Sequence, residues 1–154
     1  HIELAGILAR PEWINVAPEI IERGLSGQLQ GGSGLVAVPD FFVTHARAAT
    51  FPWQSHALWF YSQMVRWGHA THSPENAAIA ASSYRPDIYR RALRPTGGAL
   101  PGANAKVEGA LKMATAVGAV QGTLELGPDG FFDGQVFDPD RLNAYIASQA
   151  TEIR

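Results

Sequence analysis

A mainly α-helical fold with minor β structure is predicted, and three observations carry it. The window from Phe51 to Gly68 holds three of the four tryptophans at helical spacing. Prolines follow capping side chains, as at Ser73-Pro74 and Asp138-Pro139, where first helical turns belong. The segments between are rich in Gly and Pro, which leaves room for short strands only.

In chain order, residues 2–9 read as a helix that ends before Pro11. Residues 18–23 read as a second, with Pro18 in its first turn, Glu19 and Glu22 near its positive end, and Gly24 closing it. Residues 26–34 read as a glycine-rich loop, and 35–38 as a short strand before Pro39. The loop is no phosphate cradle, because no Lys follows and no helix begins at Gly34.

The Trp-rich helix comes next. Pro52 suits its first turn and Gly68 its C′ position. His56, Trp59, Phe60, Gln63, Met64 and Trp67 share a face, while Leu58, Tyr61 and Val65 occupy others. A helix apolar nearly all round is buried on most sides.

Ser73 or Thr71 caps a helix over 74–81, and another follows over 84–93, with Asp87 in its first turn and Arg90, Arg91 and Arg94 near its end. Pro95 stops it, and about 95–105 reads as a linker inside one region covering 1–154. Residues 106–120 carry helical periodicity, weakened by Gly109 and Gly118. Residues 123–126 and 135–137 suit two short strands around the turn Gly127-Pro128-Asp129-Gly130. Asp138 caps a final helix with Pro139 at N1 and Leu142, Tyr145 and Ile146 on its apolar face.

The 154 residues suffice for a domain with a real core. Net charge is −2 and only Lys106 and Lys112 are lysines, so no basic stripe marks a nucleic-acid partner. No apolar run approaches the roughly 20 residues that span a bilayer. Without cysteine there is no disulfide, thiolate chemistry or Cys-based metal site. The chain starts within an apolar-periodic run, with no initiator Met or N-cap, which reads as a boundary inside a longer protein or the scar of a tag.

Candidate chemistry is sparse. His69 and His72 have metal-pair spacing but fall in a helix connection with no third ligand, and read as solvated loop residues. Ser55 and His56 are adjacent, about 100° apart on a helix, so they form no nucleophile–base pair; Ser55 reads as a cap or packing residue. Asp129, Asp133, Asp138 and Asp140 fit turns and caps better than a calcium loop, which needs Glu at its twelfth position. His56, Trp59, Gln63 and Arg66 are the constellation suited to an anion, since imidazolium, indole N–H and guanidinium all donate. The alternative is that this face only packs, with His56 a hydrogen-bonded core residue. No cofactor, metal or catalytic constellation is expected, and the chain reads as a non-enzyme.

The stretch Phe51-Pro52-Trp53-Gln54-Ser55-His56-Ala57-Leu58-Trp59-Phe60, followed by Gln63-Met64-Val65-Arg66-Trp67-Gly68, resembles the signature region of the nitrate/bicarbonate-type ABC transporter solute-binding proteins. The resemblance continues through Tyr84-Arg85-Pro86-Asp87-Ile88-Tyr89-Arg90. Upstream, Ile7-Leu8-Ala9-Arg10-Pro11-Glu12-Trp13-Ile14-Asn15-Val16 looks like a family helix end and its loop. Downstream, Phe131-Phe132-Asp133-Gly134-Gln135-Val136-Phe137-Asp138-Pro139 resembles the closing turn and last helix. The chain departs from the pattern between Gly97 and Leu126, where an Ala/Gly-rich insert replaces a short linker.

The resemblance implies the C-terminal part of a two-lobed α/β periplasmic-binding-protein-like fold of type II. The full protein would hold a small inorganic anion (nitrate, nitrite or bicarbonate) between its lobes and deliver it to an ABC permease from the periplasm. This region would brace the lobes. The family's anion contacts lie mostly upstream, which favours packing over ligand contact at His56, Trp59, Gln63 and Arg66. Two relatives of different function share these helices: a cytoplasmic nitrate sensor that restrains an RNA-binding antiterminator, and a regulatory domain fused to a transporter ATPase. Self-association through the Trp-rich helix is expected once neighbouring lobes are absent.

Overall fold

The computed structural model describes residues 1–39 and 41–149. It is mainly helical, with three two-stranded antiparallel sheets. The chain divides between Ala46 and Arg47 into two compact units, where sequence suggested a single region with its break near 95–105.

In the first unit, α1 (Ile2–Leu8) packs on α2 (Pro18–Ser26), burying Ala5 and Leu25. The second helix runs past Gly24 and is closed instead by Gly27, at φ 70°. A Cβ on Gly27 would lie 2.4 Å from the Val38 carbonyl oxygen, so only glycine fits. The expected loop over 26–34 is in fact half of a hairpin. β1 (Gln28–Gly31) pairs with β2 (Gly34–Ala37) in register Gln28↔Ala37 to Gly31↔Gly34. The two residues left between Gly31 and Gly34 make the tight connection that glycine-rich hairpins favour.

The second unit is organised on α3 (Gln54–Arg66). Trp53 is the N-cap, so Pro52 precedes the first turn and does not sit within it. At the other end Gly68 takes φ 73°. Its N–H donates to the Val65 carbonyl at 3.0 Å, and the His69 N–H to Met64 at 2.8 Å, a Schellman motif. α4 (Pro74–Ser83) packs against α3, and the Ser73 hydroxyl caps it by accepting from the Asn76 N–H. α5 (Pro86–Leu93) starts two residues later than the periodicity suggests, because Pro86 holds Arg85 out of the helical region. The closing helix α6 (Leu142–Ser148) also packs on α3 and follows a 3-10 turn, Pro139–Arg141, capped by Asp138.

The segment read from sequence as linker and helix differs most. β3 (Leu100–Pro101) pairs with β5 (Ala119–Gln121), and β4 (Thr115–Val117) with β6 (Leu124–Leu126). Gly109 has φ 83°, and a Cβ there would lie 2.7 Å from the Gln135 carbonyl oxygen, which is incompatible with a helix. Thr115, Val117 and Val120 are β-branched and suit strands. The expected linker is fastened down: Leu100 and Pro101 are fully buried, and Arg90 donates to the carbonyls of Pro101, Gly102 and Ala103. Of the expected strand over 135–137, only Phe137 pairs, in a bridge with Glu108.

Two apolar clusters flank α3. Ala48, Phe51, Trp53, Leu124 and Leu126 form one, with Tyr89 against it. Tyr61, Phe137 and Leu142 form the other, with Leu58, Trp59 and Tyr145 against it. Among the described residues no helix is long and apolar enough to cross a membrane.

Candidate functional site

α3 presents two contrasting faces. The inner one buries Ser55, Ala57, Tyr61, Ser62 and Gln63. The outer one leaves Phe60 55%, Met64 47% and Trp67 61% exposed. These three lie at i, i+4 and i+7, one continuous stripe along the helix. The expected cover is thus present on most sides of the helix, while among the described residues this stripe stays largely uncovered.

The four residues suggested for anion contact fall into three separate settings. His56 is half-exposed, with Nε2 3.4 Å from the Glu108 carboxylate, a neighbour that works against an anion there. Trp59 is half-buried; its Nε1–H donates to the Tyr145 hydroxyl at 3.2 Å and its ring stacks on Phe131, centroids 5.5 Å apart. Gln63 is buried, donating to the Ser62 hydroxyl at 3.2 Å and accepting from Arg66 at 3.5 Å. His56 and Arg66 are ten residues apart, about 15 Å along the axis. Geometry thus joins Gln63 to Arg66 and sets His56 in a different network.

That network was not foreseen. Glu108 is 6% exposed and reaches from the irregular segment 104–112 to α3. It accepts from the Ser55 hydroxyl at 2.6 Å and pairs with the Lys106 ammonium. Lys106 also pairs with Asp129 at 2.8 Å, and the second Asp129 oxygen accepts from the Leu111 N–H at 2.9 Å. The Ser55 oxygen accepts in turn from the Lys106 backbone N–H at 3.2 Å. Burial pushes the Glu108 carboxyl up, but hydrogen bonds from His56, Lys106 and Ser55 outweigh it and hold the group below its ordinary value. A sequence signal existed: Lys106 and Glu108 are two apart, which points both to one side of an extended chain.

His72, expected as a solvated loop residue, is a clamp. Its Nδ1 lies 3.1 Å from the Tyr61 hydroxyl and its Nε2 2.9 Å from the Asn143 side-chain oxygen, tying the α3–α4 connection to α6. Asp133 and Asp138 serve turn and cap roles, accepting from the Gln135 and Asp140 N–H groups at 3.0 Å. Buried side-chain N and O atoms among the described residues all have partners. The ionic network fixes the first turn of α3, and the His72 clamp ties Tyr61, further along the helix, to α6.

Comparison with known proteins adds relatives. The chain is 28% identical over 148 residues to the nitrate/nitrite binding protein NrtA of Synechococcus elongatus, covering 94% of this chain and 29% of that protein. It is 26% identical over 156 residues to the bicarbonate-binding protein CmpA of the same species, covering 95% and 31%. A shorter match, 27% over 97 residues, covers 62% of this chain and 14% of the nitrate import ATP-binding protein NrtC of Synechocystis. The chain therefore spans less than a third of the length of the curated relatives it matches. No family model and no solved structure matches it.

Proposed function

We propose that this chain, a relative of the nitrate- and bicarbonate-binding proteins of ABC transporters that aligns with their C-terminal region, is the bracing region of a small-anion solute-binding protein. The supporting observation is the match to both kinds of binding protein along nearly the whole chain. In the full protein the anion sits between two lobes of a type II α/β fold, in the periplasm, and passes to an ABC permease. Here α3 is the spine. Its inner face and the Glu108 network set its angle, and Phe60, Met64 and Trp67 dock on a neighbouring lobe. The chain performs no catalysis. The sensor and ATPase-fused readings share these helices, but the ATP-binding relative matches less of the chain. A Sec or lipoprotein signal upstream of residue 1 in the gene supports transport, and its absence supports a sensor.

On this reading the 154-residue chain alone binds nitrate weakly or not at all, since the anion-contacting segments lie elsewhere. Isothermal titration is expected to show no saturable heat with nitrate or bicarbonate at micromolar levels. Micromolar nitrate binding that is lost in His56→Ala or Arg66→Ala would move the anion site onto α3 and overturn the bracing role.

A further inference from the structure

The stretch from Arg85 to Arg94 carries four arginines against one acid, Asp87, in a chain whose net charge is −2. Beside it lies a groove of about 470 Å³ lined by Asp87, Arg90, Arg91, Arg94, Val120 and Gln121, with Leu100 at its floor. Wells of roughly 300–1,000 Å³ with apolar walls and a few polar groups are the usual form of small-molecule sites. The helix dipole accounts for positive charge at the end of α5. It does not account for a walled groove beside that charge.

The polar groups around the groove divide into committed and uncommitted ones. Asp87 is held by Arg85 in two hydrogen bonds of 2.8 and 2.7 Å, which keep its carboxyl down at about 2. Arg90 donates to Pro101, Gly102, Ala103 and the Asn104 side chain and lies 5.0 Å over the Phe51 ring. None of those acceptors is a carboxylate, so its positive charge is not neutralised by them. Gln121 donates to the carbonyls of Gly98 at 2.9 Å and Arg94 at 3.3 Å, fixing the turn after α5 against β5. Arg91 and Arg94 are exposed and make no side-chain hydrogen bond or ion pair with the described residues. Being three apart, they project to the same side. Val120, 60% exposed, supplies an apolar wall. The frame is hydrogen-bonded, Leu100 and Val120 line it with apolar surface, and two guanidinium groups line it as well.

We propose that this groove binds an organic anion, with a phosphate or carboxylate head held by Arg91 and Arg94 and a short apolar body lying along Val120. Guanidinium pairs with such oxyanions in two-point geometry, which an ammonium does not reproduce. The site is independent of the small-anion role, since it uses none of α3's residues, and either reading stands if the other fails.

The test is a ¹⁵N-edited titration of the 154-residue chain with phenyl phosphate, and in parallel with inorganic phosphate. Saturable shifts are expected at the amides of residues 91, 94, 120 and 121, with phenyl phosphate the tighter ligand. The double variant Arg91→Gln/Arg94→Gln is expected to weaken binding by about tenfold or more, in line with loss of charge-assisted hydrogen bonds. Arg10→Gln/Arg23→Gln, which removes equal charge elsewhere, is expected to leave it unchanged. Because the Arg91 and Arg94 side chains make no internal bonds, the first variant keeps the wild-type melting curve. Absence of saturable shifts, equal affinity for the two phosphates, or equal weakening by both double variants would overturn the proposal.

Discussion

Replacing Lys106 by Met is expected to destabilise the chain by about 3–5 kcal/mol, the cost of removing one partner from a buried ion pair. The ammonium is the cation shared by two carboxylates, Glu108 and Asp129, whose side chains are 7% and 20% exposed. Without it, two negative groups remain in a site with little water, and Ser55, His56 and a backbone N–H cannot neutralise both. The pH dependence has a fixed sign. In the folded chain Glu108 titrates below its ordinary 4.5. Between the two values the unfolded chain binds more protons, so stability is full above 4.5 and is lost as pH falls through the folded value. In Lys106→Met the carboxyl loses a partner that holds it low, so this acid loss is smaller than in wild type. Urea midpoints measured from pH 7 down to pH 3 read both effects. A variant with wild-type midpoints throughout would show that the network contributes nothing to the fold.

Trp59→Ala is expected to cost about 3 kcal/mol, the low end for truncating a packed aromatic, because Trp59 is only half-buried. The substitution removes the stack on Phe131 and leaves the Tyr145 hydroxyl without its indole donor. Trp67→Ala, on the outer face about two turns further along, is expected to change stability by less than about 1 kcal/mol, as for ordinary surface positions. A urea titration of the two variants compares them directly. Equal and small losses would mean that Trp59 does not hold α3 in place.

Several helix boundaries were legible in the sequence where a chemical mark accompanied the periodicity, though Gly24 and Pro52 marked theirs wrongly. Ser73-Pro74, Asp138-Pro139 and Gly68 each fixed a boundary that the structure reproduces. Where the marks were weak, tertiary contacts decided. Residues 106–120 have helical spacing, yet a left-handed Gly109 and strand pairing at Thr115–Val117 and Ala119–Gln121 override it. The same misreading hid the ionic network, because Lys106 and Glu108 face one way only on an extended chain. On α3 the shared face of His56, Phe60, Met64 and Trp67 was visible from spacing. Whether it pointed inward was not, since apolar residues occur on the other faces too. Burial of Ser55, Ser62 and Gln63 in place of Phe60 and Trp67 requires polar partners that spacing does not reveal: Glu108 for Ser55, and a helix carbonyl for Ser62.

The bracing role proposed above depends most on the outer face of α3 being a docking surface and not a solvated face that happens to be apolar. Sedimentation equilibrium of the 154-residue chain beside the variant Phe60→Ser/Met64→Gln/Trp67→Ser measures this directly. Wild type is expected to self-associate as concentration rises, since an uncovered apolar stripe seeks a partner, and the variant is expected to remain monomeric with a fold retained by circular dichroism. A wild-type chain that stays monomeric at high concentration, or a variant that associates as strongly, would contradict the docking role of this helix.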